Sequence, residues 1–201
     1  REVAGTVGLG CAARFFLAGG AFKSLITGRA PRDLDFWTPS LRDRNILLEQ
    51  LENRGAVRLP SSAFADVFEI GGRIVDVPFK TEASTLIDRL GRFDIALSAI
   101  GVECRPQGDW VALVHERARL SVEQQEVLLL EPLVNWKYAL VTLERMRRYS
   151  KELGFSVSSD GEASIWKMFY SQPPSVREEM LTRFKTNGMG GYGVEEDLRQ
   201  A

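Results

Sequence analysis

Two aspartates one residue apart, Asp33 and Asp35, are the residues of this chain whose type and spacing point most directly to chemistry. In an extended strand, alternate side chains point to the same face, so both carboxylates project from one side. Two like charges held that close repel each other unless a cation lies between them. Carboxylate oxygens suit Mg²⁺, which commonly carries phosphate groups alongside one or two carboxylates. The pair therefore predicts a divalent-metal site.

A double glycine, Gly19-Gly20, precedes the aspartates and follows the apolar run 15–18. Glycine lets the backbone come close to a ligand, and the start of a helix presents free N–H groups to phosphate. Taken alone, such a glycine pair is usually a turn, and an Asp-x-Asp pair is usually a solvated strand edge. In this order and at this spacing, the two together favour a phosphate cradle beside a metal site.

The segment 17–29, followed by 32–37, resembles the head-domain signature of CCA-adding enzymes and bacterial poly(A) polymerases. These enzymes belong to the DNA polymerase β-like nucleotidyltransferase superfamily. The family pattern is Leu-Val-Gly-Gly-Ala-Val-Arg-Asp, then a glycine, then Asp-x-Asp. Here Lys23 takes the basic position, and Ser24 stands where the family usually has aspartate.

The resemblance continues beyond this segment with lower specificity. Residues 73–80 resemble the strand that carries the family's third carboxylate, here Asp76. Residues 92–99 resemble the block that closes the head domain, although Asp94 and Ala96 replace the family's Thr and Asn. Residues 143–155 loosely resemble the basic helix of the neck.

The resemblance implies attack of a hydroxyl on the α-phosphate of a nucleoside triphosphate, with release of pyrophosphate. Two Mg²⁺ ions, or Mn²⁺ in their place, suit this reaction because one activates the hydroxyl and the other neutralises the leaving group. Asp33, Asp35 and Asp76 would hold the ions. The residues implied in nucleotide binding are Gly19, Gly20, Lys23 and Arg29.

The acceptor is less defined than the nucleotide. Arg145, Arg147 and Arg148 lie in a predicted helix, where they either contact the acceptor or form a solvated face. The chain lacks the Glu-Asp-x-x-Arg motif with which tRNA-tailing members read the incoming base, so CCA addition itself is not expected. The short stand-alone members of the family modify tRNA ends, proteins or small molecules, and some act as toxins.

Composition limits the alternatives. The net charge of −1 gives no overall basic field for long nucleic acid. One histidine and two distant cysteines argue against a zinc site and a histidine-based triad. The cysteines are interpreted as reduced thiols, with a single disulfide as the alternative. No stretch is apolar enough for a membrane span, no signal peptide is predicted at residues 3–22, and we expect a cytoplasmic protein. Two other readings remain, a catalytically inactive NTP-binding module and an interaction protein acting with a partner protein.

The elements that must position these residues predict an α+β fold. We expect a nucleotidyltransferase-type mixed β-sheet with flanking helices over residues 1–125, and a helical neck and C-terminal region over 126–201. Gly71-Gly72 predicts a two-residue hairpin between strands 65–70 and 73–79. The other predicted strands are 14–18, 34–38, 56–59 and 95–103. The predicted helices are 1–13, 21–27, 41–54, 82–90, 133–153, 162–170 and 175–185, followed by a mobile glycine-rich loop at 188–193.

Overall fold

The computed structural model describes residues 12–26, 28–31, 33–81, 83–106, 109–188 and 190–200. The chain forms two compact units. The first, the sheet unit, comprises residues 1–91 and 98–115, and the second, the helical unit, comprises residues 92–97 and 116–201. The domain boundary after residue 125 remains a prediction from the sequence.

The sheet unit is built on seven strands in the order β3-β4-β5-β2-β1-β6-β7. Among the described residues, β2 and β5 pair in parallel and the other five pairings of the sheet are antiparallel, so the sheet is mixed. The strands are β1 (Phe15–Ala18), β2 (Asp33–Trp37), β3 (Val57–Leu59), β4 (Ala65–Ile70), β5 (Arg73–Pro78), β6 (Ile100–Cys104) and β7 (Trp110–Val114). Its helices are α1 (Gly20–Ile26), α2 (Leu41–Asn53) and α3 (Leu86–Leu90).

One face of the sheet carries the core of this unit. Leu34 and Phe36 of β2 alternate with the aspartates and are buried. They pack in one cluster with Val75, Val77 and Phe68 of the neighbouring strands and with Leu47 and Leu51 of α2. Helix α2 begins at the cap Ser40, whose side chain accepts a hydrogen bond from the Asp43 amide at 3.0 Å. The strong alternation of β2 thus anchors one face and leaves the polar residues on the other.

The helical unit contains α4 (Glu116–Gln124), α5 (Ala139–Leu153), α6 (Ser159–Tyr170), α7 (Pro174–Asn187) and α8 (Val194–Gln200). A short parallel pair, β8 (Glu126–Val127) and β9 (Ser156–Val157), accompanies them. Its core groups Leu140, Leu143 and Met146 of α5 with residues of α6 and α7. None of the helices in the described part of the chain has the length and apolar character to cross a membrane.

The α+β fold class and the Gly71-Gly72 hairpin are confirmed, the hairpin with φ of 58° and 73° at its two glycines. Strand β7 and helix α4 had no counterpart among the predicted elements, because their apolar residues follow neither period clearly. The predicted strand 95–103 was partly wrong. Residues Ala96–Ser98 form a 3₁₀ turn, and β6 begins at Ile100. The predicted helix 1–13 and Cys11 fall almost entirely outside the described residues.

Candidate active site

The parallel pairing of β2 with β5 brings the sequence-predicted carboxylates together. Asp35 lies directly opposite Asp76 in the register, and Asp33 lies opposite Ile74. Neighbouring strands are about 4.8 Å apart, and register partners point to the same side of a sheet. Asp33, Asp35, Trp37 and Asp76 therefore share one face, called the carboxylate face below. All four are partly buried.

The opposite face explains why this register is stable. Leu34 and Phe36 of β2, and Val75 and Val77 of β5, are at most 1% exposed. A slip of one residue in either strand would turn these apolar side chains outward and place aspartates in the core. The same apolar residues that build the core thus determine where the carboxylates point.

The glycine pair lies beside the aspartates. Strand β1 pairs antiparallel with β2 through Leu17 and Phe36, which sets Ala18 beside Asp35 and Gly19 one residue further along. Gly19 has φ of 117°, a conformation that strains any residue with a Cβ. Gly20 is the first residue of α1, which packs against β2. The backbone at Gly19 therefore turns next to the carboxylate face.

The two predicted cations differ in their surroundings. Lys23 lies in α1 and is partly buried, whereas Arg29 follows the helix and is exposed. The Arg29 amide donates to the Ser24 carbonyl at 3.0 Å, which closes the loop after α1. Both therefore belong to the segment that connects the glycine turn with β2.

The three aspartates offer the type of ligand atom that Mg²⁺ prefers, but they do not form a preformed metal-binding cage. Three carboxylates on one face of two adjacent strands offer the oxygen ligands that Mg²⁺ prefers. Yet within the described ranges no group of three His, Cys, Asp or Glu side chains is arranged to hold a metal ion. Mg²⁺ usually binds through one or two carboxylates together with substrate phosphates and water, so a closed protein cage is not required.

An arginine that no sequence motif indicates packs on the Trp37 side chain of the carboxylate face. The guanidinium carbon of Arg89 in α3 lies 3.9 Å from the centre of the Trp37 ring. The indole N–H of Trp37 donates to the Ala18 carbonyl at 3.3 Å, which ties the ring to β1. Extending the Asp33-Asp35 alternation by one step would have placed Trp37 on this face, but no sequence pattern points to Arg89.

Another acid on the same side of the sheet has a structural role. Glu103 of β6 pairs with Phe16 of β1, which in turn pairs with Trp37. Arg14 donates to the Glu103 carboxylate at 2.7 Å and Arg105 at 3.1 Å. Burial raises the pKa of Glu103, but the two arginines lower it further, so its pKa lies below its usual range. Glu103 is therefore held as an anion by fixed partners.

In the helical unit, the predicted acceptor-binding arginines of α5 have partners within the same unit. Arg145 donates to the Asp94 carboxylate at 2.7 Å, beside the Thr142 hydroxyl at 2.8 Å. Arg147 donates to the carboxylates of Glu162 and Asp197, the latter at 2.6 Å.

The remaining contacts of these arginines are also local. Arg147 further donates to the carbonyl of Tyr192 at 3.2 Å, which ties the glycine-rich loop to α5. Arg148 lies 3.7 Å from Glu152 on the next turn of α5. The basic cluster thus takes part in the ion pairing that holds this unit together.

The comparisons with known proteins agree with the architecture. No family model matches the chain, and no curated protein matches it significantly. Among similar solved structures, a tRNA-processing enzyme in an apo form has a TM-score of 0.68 at 18% identity. The match covers 98% of this chain and 57% of the chain of that enzyme. The Thermotoga maritima CCA-adding enzyme complexed with tRNA has a TM-score of 0.63 at 13% identity, over 98% of this chain and 49% of its own.

A third structure, a tRNA nucleotidyltransferase complexed with a primer tRNA and an incoming ATP analog, has a TM-score of 0.61 at 17% identity. It covers 92% of this chain and 59% of its own. The chain thus spans about half to three fifths of the length of these proteins. With the mixed sheet and its carboxylate register, these likenesses show that the chain has a nucleotidyltransferase fold resembling the head domain of the CCA-adding enzymes.

Proposed function

We propose that this protein is a metal-dependent nucleotidyltransferase that moves a nucleoside monophosphate from a nucleoside triphosphate to a hydroxyl acceptor and releases pyrophosphate. The observation that carries the proposal is the register of β2 and β5, which sets Asp35 opposite Asp76 with Asp33 on the same face. Three acids gathered on one sheet face repel each other in the absence of a cation, and the fold's relatives include proteins complexed with CTP and ATP.

The chain's own residues divide the work. Asp33, Asp35 and Asp76 would hold the metal ions on the carboxylate face. The turn at Gly19-Gly20 brings backbone against the triphosphate, and Lys23 or Arg29 adds positive charge there. Bound Mg²⁺ lowers the pKa of the attacking hydroxyl and neutralises charge on the leaving pyrophosphate. No side-chain nucleophile is required.

The acceptor in this proposal is a tRNA 3′ end, a protein hydroxyl or a small molecule. Two of the similar structures are complexed with tRNA, which favours the tRNA end as the first acceptor to test. Of the three arginines of α5, Arg145 has the most exposed side chain, at 32%, whereas that of Arg147 is 21% exposed and pairs with two acids. An acceptor contact by Arg147 would break two ion pairs, whereas one by Arg145 would break its pair with Asp94, so the proposal rests mainly on Arg145.

A second candidate is an NTP-binding or interaction module without catalysis. It is favoured by the finding that the described residues contain no preformed three-ligand metal group. Its partner would be another protein rather than a transferred nucleotide.

Incubation with each α-labelled NTP and Mg²⁺, with total RNA or cell protein as the acceptor, tests both candidates. We expect transfer of label by the wild type, no transfer with chelator, and no transfer by Asp35→Ala. Metal-dependent NTP binding without transfer to any acceptor would support the inactive module. Equal NTP affinity with Mg²⁺ and with chelator would contradict the metal role of the aspartates.

A further inference from the structure

We propose that Arg89, stacked on Trp37, is a nucleotide-binding residue that contacts the triphosphate. This inference rests on the proposed function and adds a residue that neither the motif nor the comparisons assign. Three observations carry it: the position of Trp37 on the carboxylate face, the contact of Arg89 with that ring, and the packing that holds α3 against the sheet.

The position of Trp37 follows from the strand. Trp37 lies two residues after Asp35, so its side chain leaves the sheet on the same side as both aspartates. Its partner in β1 is Phe16, and its indole N–H bonds the Ala18 carbonyl. The ring is therefore a fixed platform next to the metal-binding aspartates.

The contact of Arg89 with this platform is close. At 3.9 Å from the ring centre, it is the shortest cation–π distance among those measured in the described residues. The N–H donors of a guanidinium lie in its own plane, so a group that stacks on a ring can still direct donors sideways. Such donors match a phosphate in a bidentate arrangement.

The packing of α3 determines where Arg89 stands. Leu86 at the start of this helix covers Gly101 of β6 so closely that a Cβ built on Gly101 would lie 2.8 Å from a Leu86 methyl carbon. The same Cβ would lie 3.0 Å from the Cβ of Ala18. Arg89 follows Leu86 by three residues, on the same side of the helix, and is only 9% exposed.

The negative charge expected at the site makes a phosphate contact by Arg89 favourable. A triphosphate and three carboxylates together carry more negative charge than two divalent ions neutralise. A mostly buried guanidinium is costly unless it faces an anion. The aspartates of the carboxylate face contribute negative charge on the side of the sheet where Arg89 lies. A bound triphosphate would add the largest further negative charge there. Arg89 would thus favour the triphosphate over shorter phosphate chains.

Calorimetry of Mg²⁺-ATP and AMP binding to the full chain tests this inference. Arg89→Gln should weaken ATP binding about 10- to 100-fold, the scale of a lost charged hydrogen bond, and change AMP binding little. Arg89→Lys keeps the charge and should lose less. Trp37→Phe keeps a smaller aromatic platform and should weaken ATP binding only a few-fold. Because these two changes are conservative, they test the inference even if Arg89→Gln fails to fold.

Arg58→Gln is the matched control. Arg58 also stacks on a ring of the sheet unit, with its guanidinium carbon 5.5 Å from the centre of Phe68, and it pairs with Asp66 at 2.9 Å. The Arg58→Gln substitution should leave the affinity for ATP unchanged. Wild-type ATP affinity in Arg89→Gln and Arg89→Lys, or an equal loss of ATP and AMP binding, would overturn the role of Arg89. Failure of the wild type to bind ATP would overturn the proposed function and this inference with it. Loss of ATP binding in Asp35→Ala, together with wild-type ATP affinity in both Arg89 variants, would overturn only the inference.

Discussion

The carboxylate face of the sheet unit and helix α5 of the helical unit use charge in opposite ways. The sheet unit places three carboxylates, those of Asp33, Asp35 and Asp76, on one face of two adjacent strands. The helical unit meets the basic residues of α5 with acids of the same unit, so that Arg147 joins α5 to Glu162 and Asp197. Like charges brought together destabilise a fold unless a ligand compensates them, whereas opposite charges brought together stabilise it locally. Under the proposed function, the acids of the carboxylate face serve binding, whereas Arg147 serves mainly the fold.

The largest expected effect lies in the sheet unit. Asp35→Ala should reduce nucleotide transfer about a thousandfold or more, the scale of losing a preorganised electrostatic group in an active site. It should leave the fold intact and change the midpoint of urea unfolding little, because Asp35 is only partly buried and its truncation opens no cavity in the core. Transfer assays and urea titrations on the same samples check both parts. Glu49→Ala, on the exposed side of α2, is the control, and transfer at the wild-type rate by Asp35→Ala would contradict the site.

The opposite result is expected in the helical unit. Arg147→Gln leaves the carboxylates of Glu162 and Asp197 without their shared partner, so it should lower the free energy of unfolding by about 2 kcal/mol. NTP affinity should stay the same. Urea titration and calorimetry measure the two quantities. Arg119→Gln removes an exposed ion pair with Glu123 and should cost less than about 0.5 kcal/mol. If Arg147→Gln lost acceptor modification without losing stability, the arginines would serve binding after all.

A smaller change within the sheet unit sharpens the role assigned to Arg89. Gly101→Ala places a Cβ against a Leu86 methyl group and the Ala18 Cβ, so the Leu86 side chain that packs α3 on the sheet has to shift. We expect a loss of about 1–2 kcal/mol in the free energy of unfolding and a partial loss of ATP affinity. Gly91→Ala, where a Cβ would meet its nearest neighbour at 3.6 Å, is the matched control. Unchanged ATP affinity in a destabilised Gly101→Ala would mean that Arg89 does not depend on α3 packing.

The smallest expected effect concerns acid pH. Asp66 is buried, which raises its pKa, but hydrogen bonds from Arg44, Arg58 and Ser61 lower it further, so the folded-state pKa lies below the usual value. Such a group stabilises the folded state above its unfolded pKa of about 4, and this contribution is lost as the pH falls through the lowered folded value. Stability measured by urea titration should therefore decline below about pH 4. Asp66→Asn should flatten this decline, and an unchanged slope would contradict the assignment.

Local sequence was sufficient for the elements with a clear signal. The alternation of Leu34 and Phe36 with Asp33 and Asp35 predicted strand β2 and the shared face of the aspartates, because side chains alternate in any strand. Gly71-Gly72 predicted the hairpin, since a tight turn of this type needs positive φ at both positions. Strand β7 and helix α4 had no counterpart among the predicted elements, because their sequences show neither an alternation of period two nor a wide apolar helical face.

The sequence by itself determined the fold class, the glycine turn and the candidate carboxylates. The glycine turn and the Asp33-Asp35 pair follow from residue type and spacing along one segment, whereas Asp76 and the fold class were also indicated by the family resemblance. The tertiary structure alone decided that Asp76 lies opposite Asp35, because strand register across more than forty residues depends on the burial of Leu34, Phe36, Val75 and Val77. It also decided that Arg147 pairs with Glu162 and Asp197, and that Arg89 stacks on Trp37. These partners are 15 to 52 residues apart, and the sequence spacing of such residues carries no information on which charges and rings meet in the folded chain.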